Sequence, residues 1–309
     1  MTQAGKLWQR YSFAARIVIL LAAVAYLAYA EVLERFDYIL YDKMAVLQQY
    51  PQDPNIVIVA IDDESFKALG RWPWSRGVHA ELINRLSSIG NSAAAIDLLL
   101  SEPQDSDPYA DRLLAYAVAA HGGVIFPVAP ASEAGKEPLT LVQPLPLFAQ
   151  QAALGHTDVE LDSDGVVRRV FLYAGINAPA WPALGLALTN PAAARAVYQS
   201  FSSMETAQAG HWVREQEALI PYAGESGSFR KISYAQVLFD DEALAGLRDK
   251  TVIVGMTATG MGARFATPLS PLNHQPMTGV EWHANVFSML TSGRVIYPVP
   301  AAVTTVISV

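Results

Sequence analysis

The stretch GRWPWSRGVHAELINRL, Gly70 to Leu86, sets two tryptophans about a proline, flanks them with Arg71 and Arg76, and places His79 in the first turn of a helix-like run. Aromatic walls and guanidinium forks suit a small anionic or planar ligand. The same side chains could equally plug a sheet edge, with the arginines paired to nearby acids. Asp62-Asp63-Glu64 ends an apolar run, IVIVAI, and Asp97 sits inside the next one, AAAIDLLL. Acids at the carboxyl ends of strands lie where open α/β sheets bind ligands and could hold a divalent cation. No lysine partner of a phosphate-receiving switch follows them.

Other stretches carry weaker chemistry. Asp158, Glu160, Asp162 and Asp164 alternate before Gly165, in the manner of a calcium loop. The closing bidentate Glu is missing, and Arg168-Arg169 stand ready to pair with the acids instead. Gly255 to Gly262 follows the strand TVIV but lacks the lysine and the spacing of a phosphate-binding loop. Gly224-Glu225-Ser226-Gly227-Ser228 misses the nucleophile-elbow spacing by one position. His79 and His283 each open a helix, and none of the six histidines belongs to a closely spaced pair, so zinc would need a third ligand brought in by the fold. Neither a catalytic set, a metal set nor a cofactor is expected.

The elements that would position these residues can be read from pattern. Ile56–Ile61 is a continuous apolar run of the kind a doubly covered parallel strand shows. Val78, Leu82, Leu86 and Ile89 mark a helix face ending at Gly90, and residues 93–100 form the next strand, so strand, helix and strand make a right-handed βαβ unit. Residues 111–120 read as a helix, 124–128, 166–173 and 251–255 as strands, 279–290 as a helix, and 129–160 as long loops. The fold class is α/β: a single domain with a central, mostly parallel sheet flanked by helices, preceded by an N-terminal transmembrane helix.

Composition supports the last point. Hydrophobic residues make up 52% of the 309 and charged residues only 16%, against about 25% in ordinary soluble domains. The net charge of −8 and the lack of a basic run exclude a nucleic-acid surface. Cysteine is absent, which removes disulfides, thiolate metal sites and cysteine nucleophiles. Lys6, Arg10 and Arg16 precede the uncharged run Ile17–Ala30, and acids follow at Glu31, Glu34 and Asp37, an asymmetry that places the N-terminus in the cytoplasm. Ala28-Tyr29-Ala30 also fits a signal-peptide cleavage site. Against cleavage, no glycine or proline interrupts the chain between Lys6 and Tyr50, and Leu33, Phe36, Leu40, Met44 and Leu47 recur at helical steps. The uncharged stretch after Arg294 reads as the start of a second membrane segment. Residues 1–30 are thus expected to be a cytoplasmic stub and membrane helix, 31–294 an extracytoplasmic domain, and 295–309 the next membrane segment.

Taken together, IVIVAIDDESFKALGRWPWSRGVHAELINRL, AAAIDLLLSEP, DSDGVVRRVFLY, ISYAQVL, LRDKTVIVGMTATG and GVEWHANVFSMLTSGR resemble, in this order, the type-two CHASE domain, the cyclase/histidine-kinase-associated sensory extracellular module. The resemblance runs from about Phe36 to Arg294. It implies a sensory input domain outside the bacterial plasma (inner) membrane. A histidine kinase, nucleotide cyclase or diguanylate cyclase output would follow further membrane helices. It implies no catalytic residues. The candidate ligand-binding set is Asp62, Arg71, Trp72, Trp74, Arg76, His79, Asp97 and His283. The expected partners are an unidentified small ligand, the lipid bilayer and a second copy in a homodimer. Two other readings stand beside it: an extracytoplasmic metal-assisted hydrolase working at Asp62 and Asp63, and a structural dimerisation domain.

Overall fold

The computed structural model describes residues 13, 15–24, 26, 34–48, 50–132, 138–201 and 209–299. The chain divides into two compact units, residues 1–47 with 297–309 and residues 48–296. In the first, residues 15–24 are largely helical and α1 spans Glu34–Leu47 with Phe36, Leu40, Met44 and Leu47 exposed. Among the described residues, no helix is long and apolar enough to cross a membrane. Of the first expected membrane segment, residues 17–24 and 26 are described and helical, while residues 25 and 27–30 lie outside the described residues; of the second, residues 295–299 are described and 300–309 lie outside them.

The larger unit runs β1 (Ile56–Ile61), α2 (Asp63–Leu69), α3 (Arg76–Ser88), β2 (Ala94–Ile96), α4 (Pro108–His121), β3 (Val124–Ala131), β4 (Leu139–Val142), α5 (Pro146–Ala149), β5 (Ala153–His156), β6 (Arg169–Ile176) and β7 (Trp181–Pro182). It continues through α6 (Leu184–Thr189), α7 (Pro191–Phe201), β8 (Ala209–Gly210), β9 (Trp212–Leu219), β10 (Lys231–Ser233), α8 (Tyr234–Phe239), α9 (Asp241–Ala245), β11 (Thr251–Met256), β12 (Arg264–Phe265), α10 (Ser270–Asn273), β13 (Met277–Thr278) and α11 (Gly279–Thr291). The central sheet has the order β10-β1-β11-β2-β3-β4-β8, with β5 also paired to β3. Its core from β10 through β3 and β5 is parallel, and β4 and β8 extend it antiparallel. A mixed α/β fold with a mostly parallel sheet flanked by helices is therefore what the chain adopts.

Every residue of β1 is buried, as a strand covered on both faces requires. Alternation divides the core in two. Val57, Val59, Ile96 and Val254 point to the side covered by α3, α4 and α8. Ile56, Ile58, Ala95 and Ile253 point to the side covered by α6 and α11. One local expectation changes: β1 and β2 are not neighbours, because β11 lies between them in register with both. Pairing across that much sequence leaves no local trace. A separate three-stranded antiparallel sheet, β7-β6-β9, completes the unit.

Candidate functional site

The tryptophan turn is assembled by its caps. Asp62 closes the start of α2, accepting from the Ser65 amide at 2.8 Å. Gly70 ends the helix at φ 87, a conformation glycine adopts without penalty. Ser75 then caps α3. Between them the Trp72–Pro73 peptide is cis, and Trp74 turns inward to 5% exposure. Its Nε1 donates to the Gly70 carbonyl at 3.0 Å. The Trp74 ring packs on Trp72 and Tyr234, each at 5.2 Å, and on Phe66 at 5.6 Å.

His79 completes this cluster at 2% exposure. Its Nδ1 lies 2.8 Å from the Tyr234 hydroxyl, which also reaches the Val78 carbonyl at 3.3 Å. Tyrosine has one proton to give, and a carbonyl can only accept. Both contacts are therefore satisfied when His79 Nδ1–H donates to the tyrosine and the tyrosine donates to Val78. Nε2 is left as a buried lone pair without a partner. Burial, with Arg76 nearby, drops the ring to about 3, so His79 is neutral under ordinary conditions. Burial also pushes the Tyr234 hydroxyl well up.

The two arginines have different fates. Arg76 straps α3 to the segment before α4: its Nη2 donates to the Glu102 carbonyl at 3.2 Å, its Nε lies 3.7 Å from Asp111, and its amide donates to Gln104 at 2.7 Å. Arg71 is exposed and, among the described residues, has no hydrogen bond or ion pair. Trp72 is half-buried beside it. That edge is the exposed part of the turn.

At the sheet's carboxyl edge Asp62 is committed: besides its cap it accepts from the hydroxyls of Ser65 at 2.6 Å and Ser233 at 2.9 Å, tying β1, α2 and β10 together. Asp63 accepts from Thr259 at 3.1 Å. Asp97, at the end of β2, gives its amide to the Val254 carbonyl at 2.8 Å, but its carboxyl has no partner among the described residues. Burial raises that carboxyl to about 6. It lies beside Gly255, where an added Cβ would come within 2.8 Å of Val280 in the first turn of α11. Among the described residues, no group of three or more acids or histidines could hold a metal ion.

The sheet itself separates the eight candidates. Trp72, Trp74 and His79 gather on the α3 side, while Asp97 shares the register parity of Ala95 and faces α11. His283, on α11 and 3% exposed, belongs with the second group. Asp62 stands at the rim. These residues do not line one common site.

The remaining motifs resolve structurally. The alternating acids each hold an arginine: Asp158 and Glu160 bind Arg214, each at 2.6 Å, while Asp162 and Asp164 grip Arg168 at 2.8 and 2.7 Å. Arg168 is 2% exposed between them. At the glycine-rich exit of β11 the amides of Thr257 and Ala258 both go to the Ile61 carbonyl at 3.0 Å, and the Met261 amide goes to the Ala258 carbonyl at 3.2 Å. Arg264 closes it from the other side on the carbonyls of Thr257 and Ala258. Ser226 sits against buried Glu281, which accepts the Gly227 amide at 2.6 Å and pairs with Lys231 at 3.4 Å. Tyr234, His156, Trp212 and Glu281 are the organising residues that sequence reading missed. Their types were visible, but their long-range partners were not.

The carboxyl edge of the parallel sheet thus carries a capped acid, Asp62, an acid without a partner among the described residues, Asp97, and the aromatic turn. The chain matches the CHASE2 domain over residues 17–309, nearly its whole length, and belongs to that family, the sensor domains of signalling receptors. No curated protein and no solved structure matches it.

Proposed function

We propose that the chain is the extracytoplasmic input module of a bacterial membrane receptor, not an enzyme, which passes a ligand or stress signal to a cytoplasmic histidine kinase or nucleotide or diguanylate cyclase. In this reading residues 31–294 lie outside the plasma membrane and the flanking segments sit in it. One observation carries the proposal: α11 starts at the sheet's carboxyl edge and leads within a few residues to the point where the chain leaves the globule. There the Arg294 guanidinium lies 4.6 Å over the Tyr50 ring, and the Leu219 amide donates to the Ile296 carbonyl at 2.7 Å. The two ends of the unit are thus clasped to each other. A change at the edge that alters the α11 seat would reach both at once. A ligand produces that change only through different affinities for the two arrangements.

The absence of cysteine makes the test direct. In intact cells, a membrane-impermeant maleimide should label Ser106→Cys, an exposed position before α4. It should label Gln3→Cys only after permeabilisation. The reverse pattern would overturn the topology, and with it the input role.

A further inference from the structure

The junction of β5, β9 and α11 is short of hydrogen bonds in one particular way. His156 is fully buried, and its Nε2 lies 3.0 Å from the Phe171 carbonyl. A carbonyl only accepts, so Nε2 carries the proton and Nδ1 is a bare lone pair. Among the described residues that Nδ1 has no partner, and neither does the buried Nδ1 of His283. The indole nitrogens of Trp212, edge-on to His156 at 6.4 Å, and Trp282, 4.9 Å from the His283 ring, are also unpartnered. Among the described residues two N–H donors therefore already lack acceptors, and a proton added to either imidazole would create another. The two histidines also lie close enough for the charge of one to oppose charging of the other.

We propose that the His156–His283 pair makes the packing of α11 and β9 acid-sensitive, so that a falling external pH opens this junction and is itself a stimulus the module reads. Each ring stays neutral while buried and gains a proton once the junction opens to water. Both elements that hold the exit of the chain touch the pair. His283 is part of α11, and β9 runs from Trp212 against His156 to Leu219, which pairs with Ile296. The charged groups around the pair do not relieve it. Asp158 favours a proton on His156, but it is already held by Arg214, whose charge disfavours one. Glu160 binds the same arginine, Arg169 and Glu217 bind each other, and Glu281 turns to Lys231 and the Gly227 amide.

The sign follows from burial, which lowers His156 to about 4 and His283 to about 3, against 6.5 for a free ring. Between those values the open form binds protons and the closed form does not. Opening therefore grows as pH falls below 6.5, by up to about tenfold per ring for each pH unit.

Hydrogen exchange on residues 1–309 in lipid nanodiscs, at pH 7 and pH 5 and corrected for intrinsic rates, tests this. Protection of α11 and β9 should fall by about tenfold or more at pH 5 while β1 stays protected. The His156→Gln, His283→Gln double variant should lose that response. A change smaller than about twofold, or the same fall in the double variant, overturns the proposal. If the double variant does not fold, NMR titration of the wild-type rings decides: rings that stay neutral well below 6.5 support it, and rings that titrate near 6.5 overturn it. That the opening reaches an output rests on the function proposed above. That reading fails separately, through the labelling pattern and not through exchange.

Discussion

At the scale of single residues, the tryptophan turn is mainly a packing device with one open margin. Trp74 and His79 are core side chains, so their loss should register as stability. Trp74→Ala removes a buried indole and should cost about 3–5 kcal/mol in denaturant titration. Tyr234→Phe strips His79 Nδ1 of its partner in a buried setting and should cost about 1–3 kcal/mol. Arg71 behaves differently because it is exposed and, among the described residues, makes no hydrogen bond or ion pair. Arg71→Ala should leave stability within about 0.5 kcal/mol, and under the sensor reading it is the substitution expected to change the response to a ligand. Residue types announced this cluster well: RWPW followed by Ser75, Arg76 and His79 gave the cap and the aromatic wall. They did not reveal which side of the sheet each residue would occupy. Asp97 and His79 look like companions in the sequence and are divided by strand parity.

At the scale of elements, the fold rests on how closely α11 seats on the sheet. Gly255 allows that contact, and Gly255→Ala would push a methyl against Val280. It should lower stability by about 1–3 kcal/mol in thermal or chemical melts, and adding Val280→Ala should recover part of the loss. The continuous apolar run Ile56–Ile61 was legible to the residue, and the long helices α3, α4 and α11 to within a few residues, whereas the strand read over 93–100 is confined to Ala94–Ile96 and that read over 166–173 lies at Arg169–Ile176. The segment 129–160, read as loops, instead carries the end of β3, then β4, α5 and β5. The reason is physical. Ala153-Leu154-Gly155-His156 has neither β-branched residues nor alternation, and it becomes a strand only because β3 offers it a parallel partner. Losing β5 from the reading hid His156, and with it the histidine pair. Nor could Thr251–Met256 be placed between β1 and β2 from local pattern, since the pairing spans most of the chain.

At the scale of the whole molecule, ionisation pulls in two directions. A buried histidine with a depressed value contributes stability that is complete above about 6.5 and is lost as pH falls toward its folded value. His79, at about 3, adds to the pair in this respect. Asp97 runs the other way: its raised value of about 6 makes the folded state hold the proton more tightly, so stability is lost as pH rises from the ordinary carboxyl range through 6. Asp97→Asn should therefore be more stable than the wild type at pH 7 to 8, and the advantage should vanish by about pH 4. Melting temperature against pH for the two proteins checks this. A constant offset would mean that Asp97 acts through packing alone.

The stacking of Arg294 on Tyr50 brings the N- and C-terminal boundaries of the larger unit side by side. A segment that begins and ends at nearly the same point can be spliced into a surface loop of an unrelated host without prising that host apart. Residues 48–296 should therefore be portable, and a fluorescent protein carrying them as an insert would convert distortion of the sheet edge into light without any membrane or native output.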